Sequence, residues 1–235
     1  GIGLSVLGLL TSWIWIKDTR GHVVQEQGNA EQTEKTKNLF WLTSFKNKTL
    51  SSVTQAGLVN NLNDGMIWGL LPILLLSIHL KNDQIGLISA IYPTVWGISQ
   101  LFTGKMSDIY SKKAMLFWGM FIQGIAIILL PLCLREPQAP GGLITNALHL
   151  IPFPYYLLPI TYYLILLTSL LGFGTALVYP TFLSTIAQVT QPVDRAESIG
   201  VFRLWRDAGY AFGAIISGIT ADLFGLEYAI YLIGG

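Results

Sequence analysis

The sequence has 235 residues, of which 52% are hydrophobic and 11% charged, and its mean hydropathy is +0.54. A soluble domain carries about 25% charged residues, so this chain has too few charged residues to cover the surface of a soluble domain of its size. The high apolar content also excludes a disordered chain. A single cysteine excludes a disulfide scaffold, and a net charge of +1 gives no reason to expect a nucleic-acid partner, so an integral membrane protein remains.

Apolar runs long enough to cross a bilayer, which takes about 20 residues, predict an all-α integral membrane bundle of about six transmembrane helices. Residues 1–16 form the end of one span, and the polar stretch 17–50 reads as a flexible linker. The chain starts and stops inside apolar runs, so we expect a piece of a longer protein. Further spans are predicted over 51–80, 84–104, 114–134, 161–188 and 198–224, and residues 228–235 begin another.

The stretch 135–160 is the ambiguous part of this pattern. It contains five prolines, which remove backbone donors and break helices, so we interpret it as a long outer loop. If alternate loops lie on alternate sides, twelve of the 14 Lys and Arg residues fall on one side, and a crossing at 135–160 would weaken that bias. The positive-inside rule makes loops 17–50, 104–113 and 189–197 cytoplasmic, and we expect the plasma (inner) membrane.

The loop 104–113, GKMSDIYSKK, carries the most specific motif in the chain. It resembles the loop that members of the major facilitator superfamily (MFS) of secondary transporters carry between their second and third helices, and in a degenerate copy between their eighth and ninth. The family motif reads Gly-x-Leu-(Ala/Ser)-Asp-(Arg/Lys)-x-Gly-(Arg/Lys)-(Arg/Lys). An ordinary basic loop between two helices is the alternative. The matching residues are Gly104, Ser107, Asp108, Lys112 and Lys113.

This loop is expected to act as a cytoplasmic gating motif, and each residue type has a physical reason. Gly104 would allow a tight turn and a close helix approach. Asp108 would cap a helix N-terminus or pair with a basic group across the interface between the two halves. Lys112 and Lys113 would hold the loop at the anionic cytoplasmic leaflet.

The resemblance extends along the chain and implies a numbering of its spans. They would run from the end of helix 6, through the central cytoplasmic loop, to the start of helix 12, so that 51–235 forms the C-terminal six-helix half of a transporter. The fourth span, whose one strongly polar residue is Gln123, resembles a lipid-facing ninth helix. Gly209, Gly213 and Gly218 resemble the small-residue spine of the eleventh helix, where such residues allow close packing.

Polar residues inside a span mark function by default, because an intramembrane charge is costly. The span 51–80 carries Asn60, Asn61 and Asp64, and a spacing of four places Asn60, Asp64 and Trp68 on one helix face. Asp64 falls near the midplane, where it would bind a cationic substrate or carry a coupling proton. A hydrogen-bonded strut between helices is the alternative. A glycine and a proline in the same span resemble the broken helices of transporter binding sites.

An aromatic and polar stripe supplies further candidates for the substrate site. Tyr92, Trp96 and Gln100 are again four residues apart, and Tyr179 lies in a later span. In this family helices 7, 8, 10 and 11 border the cavity, so the stripe would line it, and burial against another helix is equally open. Arg206 either lines the cavity or extends to the cytoplasm from the first turns of its span.

Together these features predict secondary active transport of a small solute by alternating access, coupled to a proton or another ion, with efflux as one direction. The expected partners are the solute, the coupling ion, membrane lipid and the missing N-terminal half of the same chain, with no cofactor and no metal. An enzyme is not expected, because no P-loop, metal-ligand cluster or hydrolase motif occurs. A transporter-like receptor or scaffold and an intramembrane enzyme remain the alternatives.

Overall fold

The computed structural model describes residues 2–15, 36–134 and 160–234. Those residues form helices joined by short turns, with no strand among them, which confirms the all-α fold class. Residues 135–159 of the predicted loop 135–160 and most of the predicted linker 17–50 lie outside the described residues. The elements are α1 (Ile2–Trp15), α2 (Leu39–Trp41) with a π-helical turn (Leu42–Lys46), α3 (Lys48–Ser77), α4 (Asn82–Ile109), α5 (Lys112–Leu129) with a 3-10 turn (Leu130–Leu134), α6 (Ile160–Val189), α7 (Pro192–Phe224) and α8 (Leu226–Gly234).

Three of the described helices are long and apolar enough to cross a membrane by length and composition: Asn82–Ile109, Lys112–Leu132 and Ile160–Val189. The helices α3 and α7 are more polar, but they have 30 and 33 residues. At 1.5 Å per residue they are about 45 and 50 Å long, which exceeds the hydrocarbon thickness of about 30 Å. The polar side chains in the middle of α3, which are Asn60, Asn61, Asn63 and Asp64, are buried.

Local signals set the ends of the two polar helices. The Asn47 side chain accepts hydrogen bonds from the backbone N–H groups of Thr49 and Leu50, at 3.0 and 3.1 Å, and so caps α3. Pro192 is the first residue of α7, where its missing N–H costs nothing. The helix α7 therefore begins six residues before the predicted start at 198. It ends at Phe224, and the next residue, Gly225, has a φ of 95°, a backbone conformation that favours glycine.

The end of the predicted linker 17–50 is folded, which corrects its interpretation as flexible throughout. The backbone N–H of Thr36 donates to Oδ1 of Asp194 at 3.2 Å, and the Thr36 hydroxyl donates to the other carboxylate oxygen. Asp194 lies in the first turn of α7 and is 3% exposed. Nearby, the indole N–H of Trp205 donates to the Ser44 hydroxyl at 2.9 Å. Hydrogen bonds at Thr36 and Ser44 thus attach the segment 36–47 to α7.

Helices α3 and α7 pack with their backbones in contact at three glycines. A Cβ added at Gly65, Gly209 or Gly213 would lie only 2.1–2.2 Å from a backbone oxygen of the other helix. This confirms the close packing predicted for Gly209 and Gly213. Gly218 does not share it, because a Cβ there would meet none of the described atoms within 4 Å.

Two hydrophobic clusters lie on either side of a polar layer. The first joins the start of α3 to the end of α6 and the start of α7. The second joins the second half of α3 to the starts of α4 and α6 and the end of α5, so the polar side chains of the middle of α3 lie between them. Members of the first are Leu50, Val53, Val178, Phe182, Ile186 and Phe202, and members of the second include Leu74, Leu75, Ile88, Ile127 and Leu164.

Candidate functional site

A buried carboxylate lies about halfway along α3. Asp64 is 5% exposed and accepts a hydrogen bond from the hydroxyl of Tyr92, which is 1% exposed on α4. The same hydroxyl lies 3.3 Å from Oγ1 of Thr175 on α6. Gly172 allows this approach of α4 and α6, because a Cβ there would be 2.6 Å from the Tyr92 carbonyl oxygen. Three helices therefore meet at one hydroxyl group.

A row of aromatic rings leads away from this carboxylate. The ring centroids of Trp68 and Tyr92 are 5.8 Å apart, and those of Tyr92 and Trp96 are 6.3 Å apart with planes only 15° from parallel. Trp96 meets Tyr179 of α6 at 6.4 Å and 89°. The guanidinium carbon of Arg206 lies 4.6 Å from the centre of the Tyr179 ring, a cation–π contact. Residues from α3, α4, α6 and α7 thus form one connected site.

Arg206 lies deeper than the sequence indicated. Because α7 starts at Pro192, Arg206 is about 21 Å along the helix axis at 1.5 Å per residue. Its side chain is 17% exposed and lies 3.8 Å from Asp207, which is 70% exposed. Its charge also acts on Asp64 and Tyr92. Arg206 therefore does not lie in the first turns of its helix, which corrects that part of the prediction.

A second polar contact joins α3 to α5. Nε2 of Gln123 donates to Oδ1 of Asn60 at 3.1 Å, and Nδ2 of Asn60 donates to Oδ1 of Asn61 at 3.4 Å. All three side chains are buried. The expectation that α5 faces lipid therefore cannot hold for the whole helix, because the face that carries Gln123 packs against α3. The face of α5 that carries large exposed apolar side chains includes Phe117, Trp118 and Phe121.

The contact between Asn60 and Gln123 makes a stability prediction. The variants Asn60→Leu and Gln123→Met keep approximate size and remove the hydrogen bond. Polar contacts between membrane helices contribute about 0.6 kcal/mol on average and up to about 1.7. We expect a double-mutant cycle, measured as the free energy of unfolding of the full-length protein in mixed micelles, to give a coupling in that range. Purely additive effects would contradict a strut at this position and leave Asn60 free for solute.

The predicted gating motif lies where α4 meets α5, and two of its predicted roles are wrong. Gly104 is inside α4 and so makes no turn, and a Cβ there would meet none of the described atoms within 4 Å, so it approaches none of the described helices closely. Asp108 is exposed in the last turn of α4 and caps no helix N-terminus. Ser111 caps α5 instead, accepting from a backbone N–H at 3.5 Å. Lys112 and Lys113 are the first two residues of α5. Their contact with the anionic cytoplasmic leaflet stays a prediction.

Sequence reasoning missed the roles of Thr175 and Gln123. Thr175 precedes Tyr179 by four residues and so shares its helix face, a spacing that could have identified it. Gln123 is the one strongly polar residue of an apolar span, which indicates an inward face because lipid would leave its amide unsatisfied. The predicted residues that the structure brings together are Asp64, Trp68, Tyr92, Trp96, Tyr179 and Arg206, with Gln100 one turn beyond Trp96, while Asn60 and Asn61 join Gln123.

The fold and the site define a multi-pass helical membrane protein with a buried polar centre. The sequence matches the family model of the Major Facilitator Superfamily over residues 54–235. The chain therefore belongs to this superfamily of integral membrane proteins. It is 24% identical over 200 residues to an uncharacterized MFS-type transporter of Methanocaldococcus jannaschii. That match covers 84% of this chain and 42% of the relative, so the chain spans about two fifths of the relative's length.

Proposed function

We propose that the complete protein is a secondary active transporter that moves a small solute by alternating access, coupled to a proton or another ion, with efflux as one direction. Membership of the Major Facilitator Superfamily supports membrane transport in general. The finer proposal depends chiefly on Asp64, a carboxylate that is 5% exposed and hydrogen-bonded by Tyr92 of a neighbouring helix. An ionisable group kept at that depth is costly, and such groups in membrane helices serve proton relays and ion paths.

The aromatic row supports a solute site beside this proton-carrying group. Trp68 is 43% exposed, and Trp96 and Tyr179 are half-buried, so part of each ring remains open to contact with a solute or with another part of the complete protein. These side chains come from three helices, α3, α4 and α6. A site formed in this way can be closed from either side when the halves of a carrier rock around it.

The basic residues support an orientation for this proposal. Lys105, Lys112 and Lys113 lie at the junction of α4 and α5, and Lys46 and Lys48 lie just before or at the start of α3. The positive-inside rule puts these ends in the cytoplasm, which corresponds to loops 17–50, 104–113 and 189–197 in a plasma (inner) membrane. Exposed apolar side chains on α5 would face lipid, and the missing N-terminal half would cover the aromatic row.

Flux measured with the full-length protein tests this function. Small organic anions, cations and neutral solutes are added one at a time to proteoliposomes that contain luminal pyranine. We expect pyranine to report a change of internal pH when the added solute is the substrate. Protein-free liposomes are the control. Solute uptake without a pH change would contradict proton coupling. If no solute moved, the protein would be a receptor or scaffold with a transporter fold.

A further inference from the structure

Three hydrogen-bond donors have no acceptor among the described residues: two belong to Trp96 and Arg206, which both contact Tyr179, and one to Gln100, one turn beyond Trp96 on α4. They are Nε1 of Trp96, Nε2 of Gln100 and Nε of Arg206, and each of these atoms is buried. An indole and a guanidinium can donate but cannot accept. Leaving such a buried donor unsatisfied costs about 1–3 kcal/mol. A ligand that binds here is therefore favoured if it supplies several acceptor oxygens.

The charges around these donors favour an anion. Arg206 carries a permanent positive charge, and its guanidinium is only partly neutralised by Asp207, which is 70% exposed and 3.8 Å away. Asp64 is nearby, but its carboxylate already accepts from Tyr92. A carboxylate head group would give Arg206 a charge-assisted hydrogen bond and would accept from the neighbouring N–H groups.

The rings beside the donors favour a flat body behind that head group. The rings of Trp96 and Tyr179 are perpendicular to each other, and Trp68, which is 43% exposed, packs against Tyr92 on the other side of Trp96 in the aromatic row. Aromatic faces bind flat apolar groups by offset or edge-to-face contact, at about 0.5–1.5 kcal/mol per pair beyond area burial. A small aliphatic ion such as acetate would leave these faces unused.

We propose that this site takes an organic anion with a flat apolar body, its acidic head group bound by Arg206, Trp96 and Gln100. This inference rests on the proposed transport function and adds the chemical class of the solute. It also assigns separate roles to the two opposite charges, because Arg206 binds the solute while Asp64 carries the proton.

This division couples the two ligands electrostatically. Among the described residues, the charged and titratable groups that contact one another at the site are Asp64 of α3, Tyr92 of α4, Tyr179 of α6, and Arg206 and Asp207 of α7. When Asp64 is ionised, its negative charge opposes the binding of an anion near Arg206. When Asp64 is protonated, that opposition disappears, so the proton and the anion bind cooperatively, and by linkage each raises the affinity for the other.

Three probes with one ring and different head groups test the proposal: benzoate, benzamide and benzylamine. Binding to the full-length protein in detergent is measured by calorimetry. We expect benzoate to bind at least about tenfold more tightly than benzamide, a difference of about 1.4 kcal/mol, and benzylamine not to bind. Arg206→Gln should remove the preference and Arg206→Lys should keep part of it. Arg203→Gln, an exposed arginine one turn earlier on α7, is the matched control and should change nothing.

Equal affinities for benzoate and benzamide, tighter binding of benzylamine, no binding of benzoate, or a preference that survives Arg206→Gln would each overturn the anion site. The proposed transport function fails separately. Arg206-dependent binding of benzoate, with no solute of any class moved across proteoliposomes, would leave the anion site intact and remove transport. Accumulation of a cation without such binding would keep transport and remove the anion site.

Discussion

Replacing Asp64 with asparagine is expected to abolish the accumulation of solute against its gradient by the full-length protein. One pH unit corresponds to about 1.4 kcal/mol per proton, which supports up to about tenfold accumulation of a solute that moves with one proton. Asparagine has nearly the same shape, and its Oδ1 can still accept from Tyr92, but it cannot carry a proton. The ratio of internal to external solute should therefore fall towards one, while exchange of solute without a gradient persists.

The measurement uses proteoliposomes with an imposed pH gradient and the membrane potential held at zero. Asp222→Asn is the matched control, because Asp222 is an exposed carboxylate near the end of α7 and its replacement should leave the accumulation ratio unchanged. Thermal unfolding of both variants checks that the bundle is intact. An Asp64→Asn protein that still accumulates solute about tenfold would show that the proton travels elsewhere, and Asp64 would then be the structural strut considered from the sequence.

The composition of this site was largely predictable because it depends on helix periodicity. A spacing of four placed Tyr92, Trp96 and Gln100 on one face of a helix, and the structure keeps the two rings stacked within 6.3 Å. The cost of an intramembrane acid identified Asp64. Periodicity does not state which helices meet, however. The contacts of Tyr92 with Asp64 and Thr175 join residues 28 and 83 positions apart, and only packing of the whole bundle determines them.

The incorrect predictions also have physical reasons. The start of α7 was predicted too late because polar residues before 198 resemble a loop, whereas Pro192 and the buried Asp194 begin a helix that projects beyond the apolar region. This error placed Arg206 too near the start of its helix.

Asn60 shares a face with Asp64, but its amide is satisfied by Gln123 of α5, and a pattern within one helix cannot reveal such a partner. The span 51–80 resembled a broken helix because it contains a glycine and a proline, yet α3 is continuous through Pro72, as neighbouring helices in a membrane permit.

The largest expected effect on stability comes from Gly213→Ala. A Cβ at this position would lie 2.1 Å from the carbonyl oxygen of Leu62, and backbone cannot move aside as the end of a flexible side chain can. Alanine is intrinsically better than glycine in a helix by about 0.8–1.0 kcal/mol, whereas overpacking costs typically about 1–3 kcal/mol and occasionally more. The contact is between two backbones, so the upper part of that range applies and the net effect is destabilising, by about 1–2 kcal/mol.

Gly218→Ala on the same helix is the matched control, since a Cβ there meets none of the described atoms within 4 Å. It should be neutral or slightly stabilising in the same unfolding measurement. Equal effects of the two substitutions would contradict backbone contact between α3 and α7.

The same contact between α3 and α7 links stability to function. Gly65 follows Asp64 directly on α3, and Arg206 lies about one turn before Gly209 on α7. Separating the helices at these glycines moves the two charges apart, so Gly213→Ala should weaken proton-driven accumulation as well as stability.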